Sequence, residues 1–167
     1  MTSQAMMSAL ETVDPEQLRA CMAHWASGVT VVTTLDDEGR PQGFTASAFC
    51  SASLRPPLVL VCLDLSARCL TAFQKAGSFA VHVLREDQEE LAMRFARKSP
   101  EKFAGLGAVE GVDGVPLLPD ALALIECRAV DRVPVGDHVA LIGEVVRCGT
   151  GRGEPLLYHR RGFRQLR

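Results

Sequence analysis

The chain has 167 residues, 47% of them hydrophobic, and a formal net charge of −2. That length and apolar content suit one globular domain with a substantial core. The charge argues against a general nucleic-acid binder, and the longest uncharged apolar run, Leu58 to Leu63, is far too short to cross a membrane.

Six cysteines (Cys21, Cys50, Cys62, Cys69, Cys127 and Cys148) are scattered without a CxxC pair, and several sit in apolar runs. This suits free thiols in a reducing compartment better than a disulfide framework. Cys21 and His24 have the i, i+3 spacing of helical metal ligands, but no second pair completes a site. The first residues carry no basic charge ahead of their apolar positions, so they do not read as a secretory signal, and a cytoplasmic protein is expected.

Residues 1–13 are expected to be a flexible arm and 14–167 a single domain. Asp14-Pro15 is a helix-start signal, and Leu18, Cys21, Met22 and Trp25 recur at helical spacing before Gly28 stops the helix. Trp25 reads as a core anchor. Val29 to Leu35 is rich in β-branched residues and reads as a strand; Asp36-Asp37-Glu38-Gly39 is a turn, and Gln42 to Ala48 returns as the paired strand. Cys50 to Pro57 reads as a loop. Leu58 to Leu63 lacks alternation and is expected to be buried on both faces.

Ala67 to Lys75 reads as a helix with Leu70 and Phe73 inward, and Phe79 to Leu84 as another strand. In that strand His82 alternates with Val81 and Val83, which points it toward solvent. Asp87 to Ala96 is an amphipathic helix with an acidic first turn. Ser99 to Phe103 starts a short helical turn, and Gly105 to Gly114 is a surface loop. Leu122 to Val133 and His138 to Cys148 form a hairpin around Pro134-Val135-Gly136-Asp137. Leu156 to His159 is a last short strand before a cluster of arginines, which reads as a solvated surface. Strands arriving as turn-linked neighbours favour a mainly β, antiparallel sheet with inserted helices, and a closed or nearly closed barrel would remove its exposed edges. The long apolar β segments also make a dimer plausible.

The stretch Gly43 to Cys69 carries the chemistry most worth weighing. Small and hydroxylated residues lead through Pro56-Pro57 into the apolar run and end in Asp64-Leu65-Ser66-Ala67-Arg68-Cys69. Such a segment can admit a phosphate-bearing cofactor, but it lacks the glycine spacing of a P-loop or dinucleotide fingerprint, and composition alone favours a crowded sheet. His138 and His159 taken singly are turn and edge-strand residues, and His24 is structural. No serine has a hydrolase elbow, no carboxylates pair for acid–base work, and no cluster has metal spacing. What remains is binding chemistry, in which a cofactor carries the reaction.

The order of several short motifs adds a resemblance. Trp25-Ala26-Ser27-Gly28-Val29-Thr30, Gly43-Phe44-Thr45-Ala46-Ser47-Ala48-Phe49, Ser51-Ala52-Ser53 with Pro56-Pro57, and Phe79 to Leu84 follow one another. Then come Gln88, Leu91-Ala92 through Phe95, Lys102-Phe103, Gly136-Asp137-His138, Gly143-Glu144-Val145 and Pro155 to Arg160. In this order the chain resembles the short-chain flavin reductases of the FMN-binding split-barrel superfamily, the reductase components of two-component flavin-dependent monooxygenases. The resemblance implies a six-stranded antiparallel split β-barrel in a homodimer, binding FMN or FAD and NADH or NADPH, and supplying reduced flavin to a partner monooxygenase.

By the same resemblance, Thr45, Ala46, Ser47 and Ala48 lie along the isoalloxazine and ribityl chain. Ser51, Ala52, Ser53, Ser66, Arg68 and Cys69 receive the phosphate, with Asp64 shaping the loop. Phe95 belongs to the flavin site, and Tyr158, His159 and Arg160 help hold NAD(P)H or flavin. His138 lies near the nicotinamide and is the catalytic candidate. Cys69 stands where the family commonly has Thr or Ser, Leu65 where Lys is common, and His82 where Asn is frequent. The other reading is a split-barrel protein that binds flavin without catalysis. A pyridoxamine-phosphate-oxidase branch is disfavoured because its basic phosphate-site pattern is not apparent.

Overall fold

The computed structural model, which describes residues 12–166, is built on one seven-stranded antiparallel sheet. In chain order the elements are α1 (Pro15–Met22), β1 (Ser27–Gly28), β2 (Thr30–Leu35), β3 (Pro41–Ala46), β4 (Phe49–Leu54), β5 (Pro57–Asp64), α2 (Leu70–Lys75) and β6 (Ser78–Val83). There follow α3 (Glu89–Ala96), β7 (Val109–Glu110), a 3-10 turn at Val112–Gly114, β8 (Pro116–Leu117), β9 (Ala123–Val135), β10 (His138–Thr150), β11 (Leu157–His159) and β12 (Gly162–Arg164). The large sheet runs β3-β2-β6-β9-β10-β5-β4, while β1-β11-β12 and β7-β8 make two small ones.

The two edges of the large sheet, β3 and β4, are consecutive in the chain and separated only by Ser47 and Ala48. At roughly 3.3–3.6 Å per residue, the step from Ala46 to Phe49 spans about 10 Å at most. The sheet must therefore curl until its edges meet at that corner. There Cys62 N donates to Ala48 O at 3.0 Å, but no ladder joins β3 to β4. This is a split barrel with its opening beside Ser47–Ala48. The expectation of six strands is corrected to seven, because Cys50 to Pro57 is not a loop: β4 pairs with β5 from Phe49↔Val61 to Leu54↔Pro57. Pro56 lies in the turn and Pro57 opens the strand, where proline removes little from the ladder.

The inner face is filled by Val32, Phe44, Val59, Val61, Leu63, Phe79, Val81, Val139 and Leu141, with Phe73 of α2 packed among them. Each such side chain contributes about 1.5–3 kcal/mol on burial. Gly143 makes room for this packing: a Cβ there would stand 2.5 Å from Phe79 Cζ and 2.7 Å from Cys127 Cβ. Outside the barrel, α3 covers β2 through Ala92 and Phe95, which pack with Val29, Val31, Leu84, Leu118 and Leu156.

Four further expectations are corrected. Strand β5 alternates: Val59, Val61 and Leu63 are buried, while Leu58, Leu60 and Cys62 are only half-buried on the outer face. His82 is fully buried. Its Nδ1 lies 3.0 Å from Val31 O, and its Nε2 accepts from Leu118 N at 3.0 Å, so the excursion carrying β7 and β8 covers the face expected to meet solvent. Trp25 is 71% exposed and no residue of α1 is buried, because nothing among the described residues packs over it. The Gly-rich stretch is not a plain loop but the β7–β8 excursion, pinned where the buried Glu126 accepts from Val112 N at 2.6 Å. The hairpin of β9 and β10 forms as expected, with the turn narrowed to Gly136–Asp137. Of the expected arm, residues 1–11 lie outside the described residues.

Candidate functional site

At the split lies a groove of about 870 Å³, within the range of small-molecule sites. Three separated segments build it. The end of β3 supplies Thr45, Ala46, Ser47 and Ala48; the end of β5 and its following turn supply Asp64, Ser66, Arg68 and Cys69; and the start of β10 supplies His138. The register explains the third: His138 stands opposite Asp64 in the ladder between β10 and β5.

The far wall is the end of α3 and the loop 97–104. Thr45 Oγ1 donates to Ala92 O at 2.5 Å, tying β3 to α3. Lys102 Nζ donates to Gly43 O at 3.0 Å and to Phe95 O at 2.7 Å, drawing the loop against the same strand. Phe95 is wholly buried in this wall and meets Phe103 edge-on at 5.0 Å. Gly43 permits the closeness, since a Cβ there would be 2.8 Å from the Phe95 ring and 2.9 Å from Val32 O.

The lining carries five cationic side chains, Arg40, Arg68, Arg97, Lys98 and Lys102, against two acidic ones, Asp64 and Glu101. On a chain of net charge −2, that local excess marks the groove as a place for an anion. Among the described residues Arg68 has no ion pair or side-chain hydrogen bond, and the amides of Ser47, Ala48 and Arg68 find no acceptor in the chain. The groove thus presents unspent donors at both ends.

Hydrogen bonds from Ser66 hold the Asp64 carboxyl below its ordinary range; Ser66 N reaches Oδ1 at 2.6 Å. The Asp64 charge therefore fixes the turn that displays Arg68. Burial pushes the Lys102 ammonium down and the Cys69 and Cys62 thiols up. Both cysteines stay protonated near neutrality, so thiolate chemistry is not what this site offers. His138 has its Nδ1 2.7 Å from Asp137 Oδ1, and its side chain is 39% exposed. With Nδ1 engaged, Nε2 is the nitrogen left for a ligand.

Ten sequence-derived candidates thus meet in one groove: Thr45, Ala46, Ser47, Ala48, Asp64, Ser66, Arg68, Cys69, Phe95 and His138. Six do not line it in this chain. Ser51, Ala52 and Ser53 lie on β4, the opposite edge strand. Tyr158 and His159 lie on β11 and Arg160 just beyond it, where Arg160 N donates to Ala23 O at 2.8 Å. Lys98 and Lys102 were not among the candidates. Lys102-Phe103 was visible as a motif, but nothing in its spacing revealed that the loop folds onto β3.

Residues 22–167 match the flavin reductase like domain family. The chain is 47% identical over 154 residues to the actinorhodin polyketide dimerase of Streptomyces coelicolor, covering 92% of this chain and 87% of that one. It is 46% identical to the NADH:riboflavin 5'-phosphate oxidoreductase of Streptomyces pristinaespiralis, covering 90% and 88%. Identity is 39% to the reductase subunit of a flavin-dependent monooxygenase of Rhodococcus jostii, covering 91% and 78%. Among solved structures, an NADH:FAD oxidoreductase of Streptomyces globisporus, in complex with NAD and FAD fragments, superimposes with a TM-score of 0.86 at 36% identity, covering 95% of this chain and 98% of that one. With the split barrel, the motifs in their order and a family match from residue 22 to the end, this chain belongs to the flavin reductase like domain family.

Proposed function

We propose that the protein is an NAD(P)H:flavin oxidoreductase, taking a hydride from NADH or NADPH to FMN or FAD and supplying reduced flavin to a partner flavin-dependent monooxygenase. The observation that carries this is the convergence of Ser47–Ala48, Arg68 and His138 on one cation-rich groove. The names of the relatives from S. pristinaespiralis and R. jostii support the reaction and the partner.

The residues fit a flavin. Free amides at Ser47 and Ala48 suit the heteroatoms of the ring edge, and the small side chains there let the backbone approach. Thr45 contributes position, because its hydroxyl is already committed to Ala92 O. Arg68 suits the phosphate, which it can bond bidentately, with the Ser66 hydroxyl beside it. Cys69 supplies packing where the family commonly has a hydroxyl. Bound flavin supplies the hydride acceptor, N5, for the hydride leaving nicotinamide C4. The protein's part is to hold the two rings stacked and exclude water. His138 orients the nicotinamide through Nε2, while Asp137 holds its other nitrogen.

A homodimer completes the reading. The outer face of β5 and β10 is apolar, with Leu58, Leu60, Cys62 and Ile142 half-buried and nothing among the described residues over them. A second copy on that face would also bring the exposed Ser51 and Ala52 of β4 near an interface. Ser53, Tyr158, His159 and Arg160 then enter a site only from such a partner. The free cysteines suit a reducing, cytoplasmic setting where NAD(P)H is available.

The test is oxidation of NADH and NADPH by the purified protein with and without riboflavin, FMN or FAD. Flavin-dependent oxidation is expected. None under any combination rejects the enzyme and leaves a flavin-binding protein.

A further inference from the structure

The loop 97–104 brings three cations to the groove, Arg97, Lys98 and Lys102, and it sets them in two places. Lys102 stands beside the turn that follows β5. Burial is the main cause of its lowered ammonium, and Cys69 and Arg68 are the charged or ionisable groups near enough to act on it. Lys98 stands toward the other end. The Asp64 carboxyl, held low first by the Ser66 hydrogen bonds, also feels the charges of His138 and Lys98. His138 is the residue opposite Asp64 in the ladder between β10 and β5. The loop therefore runs along the groove with Lys102 beside Arg68 and Lys98 toward His138.

The lining cations differ in what they hold. Arg40 Nε is 2.9 Å from Asp36 Oδ2, and its guanidinium is 3.0 Å from Glu38 Oε2. Lys102 gives two hydrogen bonds, to Gly43 O and Phe95 O. Arg97 and Lys98 are exposed and make no ion pair or side-chain hydrogen bond among the described residues. Cations that follow a helix commonly serve its last carbonyls. At the end of α3 Lys102 already holds Phe95 O, and Arg94 turns to Glu101 O and Ala104 O. Arg97 and Lys98 are thus left for an anion that enters the groove.

We propose that Arg97 and Lys98 take the pyrophosphate of the nicotinamide dinucleotide, and so make the groove select a dinucleotide hydride donor over bare reduced nicotinamide riboside. The proposal rests on the reductase reading, in which His138 orients the nicotinamide. The pyrophosphate follows that ring by one ribose, so its charge must fall within reach of the same end of the groove. On the barrel side of that end stand two carboxylates, Asp64 and Asp137, the latter 2.7 Å from His138 Nδ1. They repel a pyrophosphate. The loop side carries the unspent cations, and Arg97 can bond two phosphate oxygens at once while Lys98 acts as a point charge. Arg68, the cation assigned to the flavin phosphate, lies beside Lys102, so the two anions do not compete for one partner.

The test is a double variant, Arg97→Ala with Lys98→Ala, read by binding and by kinetics. ADP-ribose carries the pyrophosphate without the reacting ring, so its equilibrium binding is measured with no turnover. Both side chains are exposed, and FMN binding reports that the variant is folded. ADP-ribose is expected to bind about tenfold more weakly and KM for NADH to rise by about that factor, with kcat within about twofold. Oxidation of reduced nicotinamide riboside should not change, nor should FMN affinity. Unchanged ADP-ribose binding and unchanged KM for NADH overturn the assignment. An equal loss with the riboside also overturns it, because the loop would then shape the ring site, and an equal loss for FMN would give these cations to the flavin. Wild-type protein that oxidises neither donor with any flavin is a different result and removes the reductase reading itself.

Discussion

Arg68→Ala tests the anion end of the groove. The guanidinium is solvent-exposed and unpaired among the described residues, so its removal leaves no orphaned partner in the protein. Its loss should be felt only by a ligand carrying phosphate. A charge-assisted hydrogen bond contributes about 1.5–3 kcal/mol, and exposure with salt screening places this one at the lower end. At about 1.4 kcal/mol per factor of ten, FMN and FAD should bind roughly tenfold more weakly, and riboflavin should be unaffected. Fluorescence titration of the three flavins measures this. The deficit should grow as ionic strength falls, because screening weakens the wild-type contact at high salt. A tenfold loss for riboflavin as well would show that the substitution damages the groove, and no loss for FMN or FAD would show that Arg68 meets no phosphate.

His138→Ala is expected to lower hydride transfer or raise KM for the nicotinamide by about tenfold with flavin affinity intact; unchanged kcat and KM would return His138 to an ordinary turn residue. Light scattering is expected to find the wild type a dimer and Leu60→Glu, which places a charge on the half-buried outer face of β5, a monomer; a wild-type monomer would refute the proposed interface. Gly43→Ala is expected to cost about 1–3 kcal/mol in urea denaturation, because the new Cβ meets the Phe95 ring and Val32 O, both held in place. Burial lowers the His82 pKa to about 4, below its unfolded value, so the unfolded chain binds the extra proton first. The corresponding stability, about 3 kcal/mol, is present above pH 6.5 and is lost as pH falls toward 4. His82→Asn should flatten the urea midpoint across that window, and an unchanged slope would assign it to other groups.

The local signals that survived were those set by nearest neighbours. The β-branched run of β2, the acidic start of α3 and the long hairpin of β9 and β10 follow from residues that touch in sequence. What failed needed knowledge of what lies above a surface. His82 obeys strand alternation and does point away from the barrel interior, yet the β7–β8 excursion covers that side and Leu118 N supplies the partner a buried imidazole needs. Trp25 and Leu18 have core-like spacing, but α1 finds no surface to cover among the described residues. Leu58 to Leu63 looked buried on both faces because its half-buried outer face carries the same kind of apolar residues as the inner one. In the groove, Thr45–Ala48 and His138 stood in the ordered motifs, and Arg68 in the stretch Gly43 to Cys69. Lys102 was not assigned a role, because its value lies in two carbonyls, of Gly43 and Phe95, distant in sequence or on another element.

The position of the groove follows from the topology. The edge strands β3 and β4 are sequence neighbours at opposite ends of the curled sheet, and no ladder joins them. The edges meet only at Ser47–Ala48, and amides there are left without ladder partners. A buried amide without a partner is costly, so this corner either faces water or receives acceptors from a ligand. The same corner lies beside the end of β5, whose turn carries Arg68, and beside the start of β10, fixed by register opposite Asp64. The split that leaves donors unsatisfied thus also gathers Arg68 and His138. Removing the split, by extending the β3–β4 connection into a full hairpin, would satisfy those amides within the protein. Such a variant should gain stability and lose flavin binding together, and a variant that keeps binding while its amides are paired would separate the site from the split.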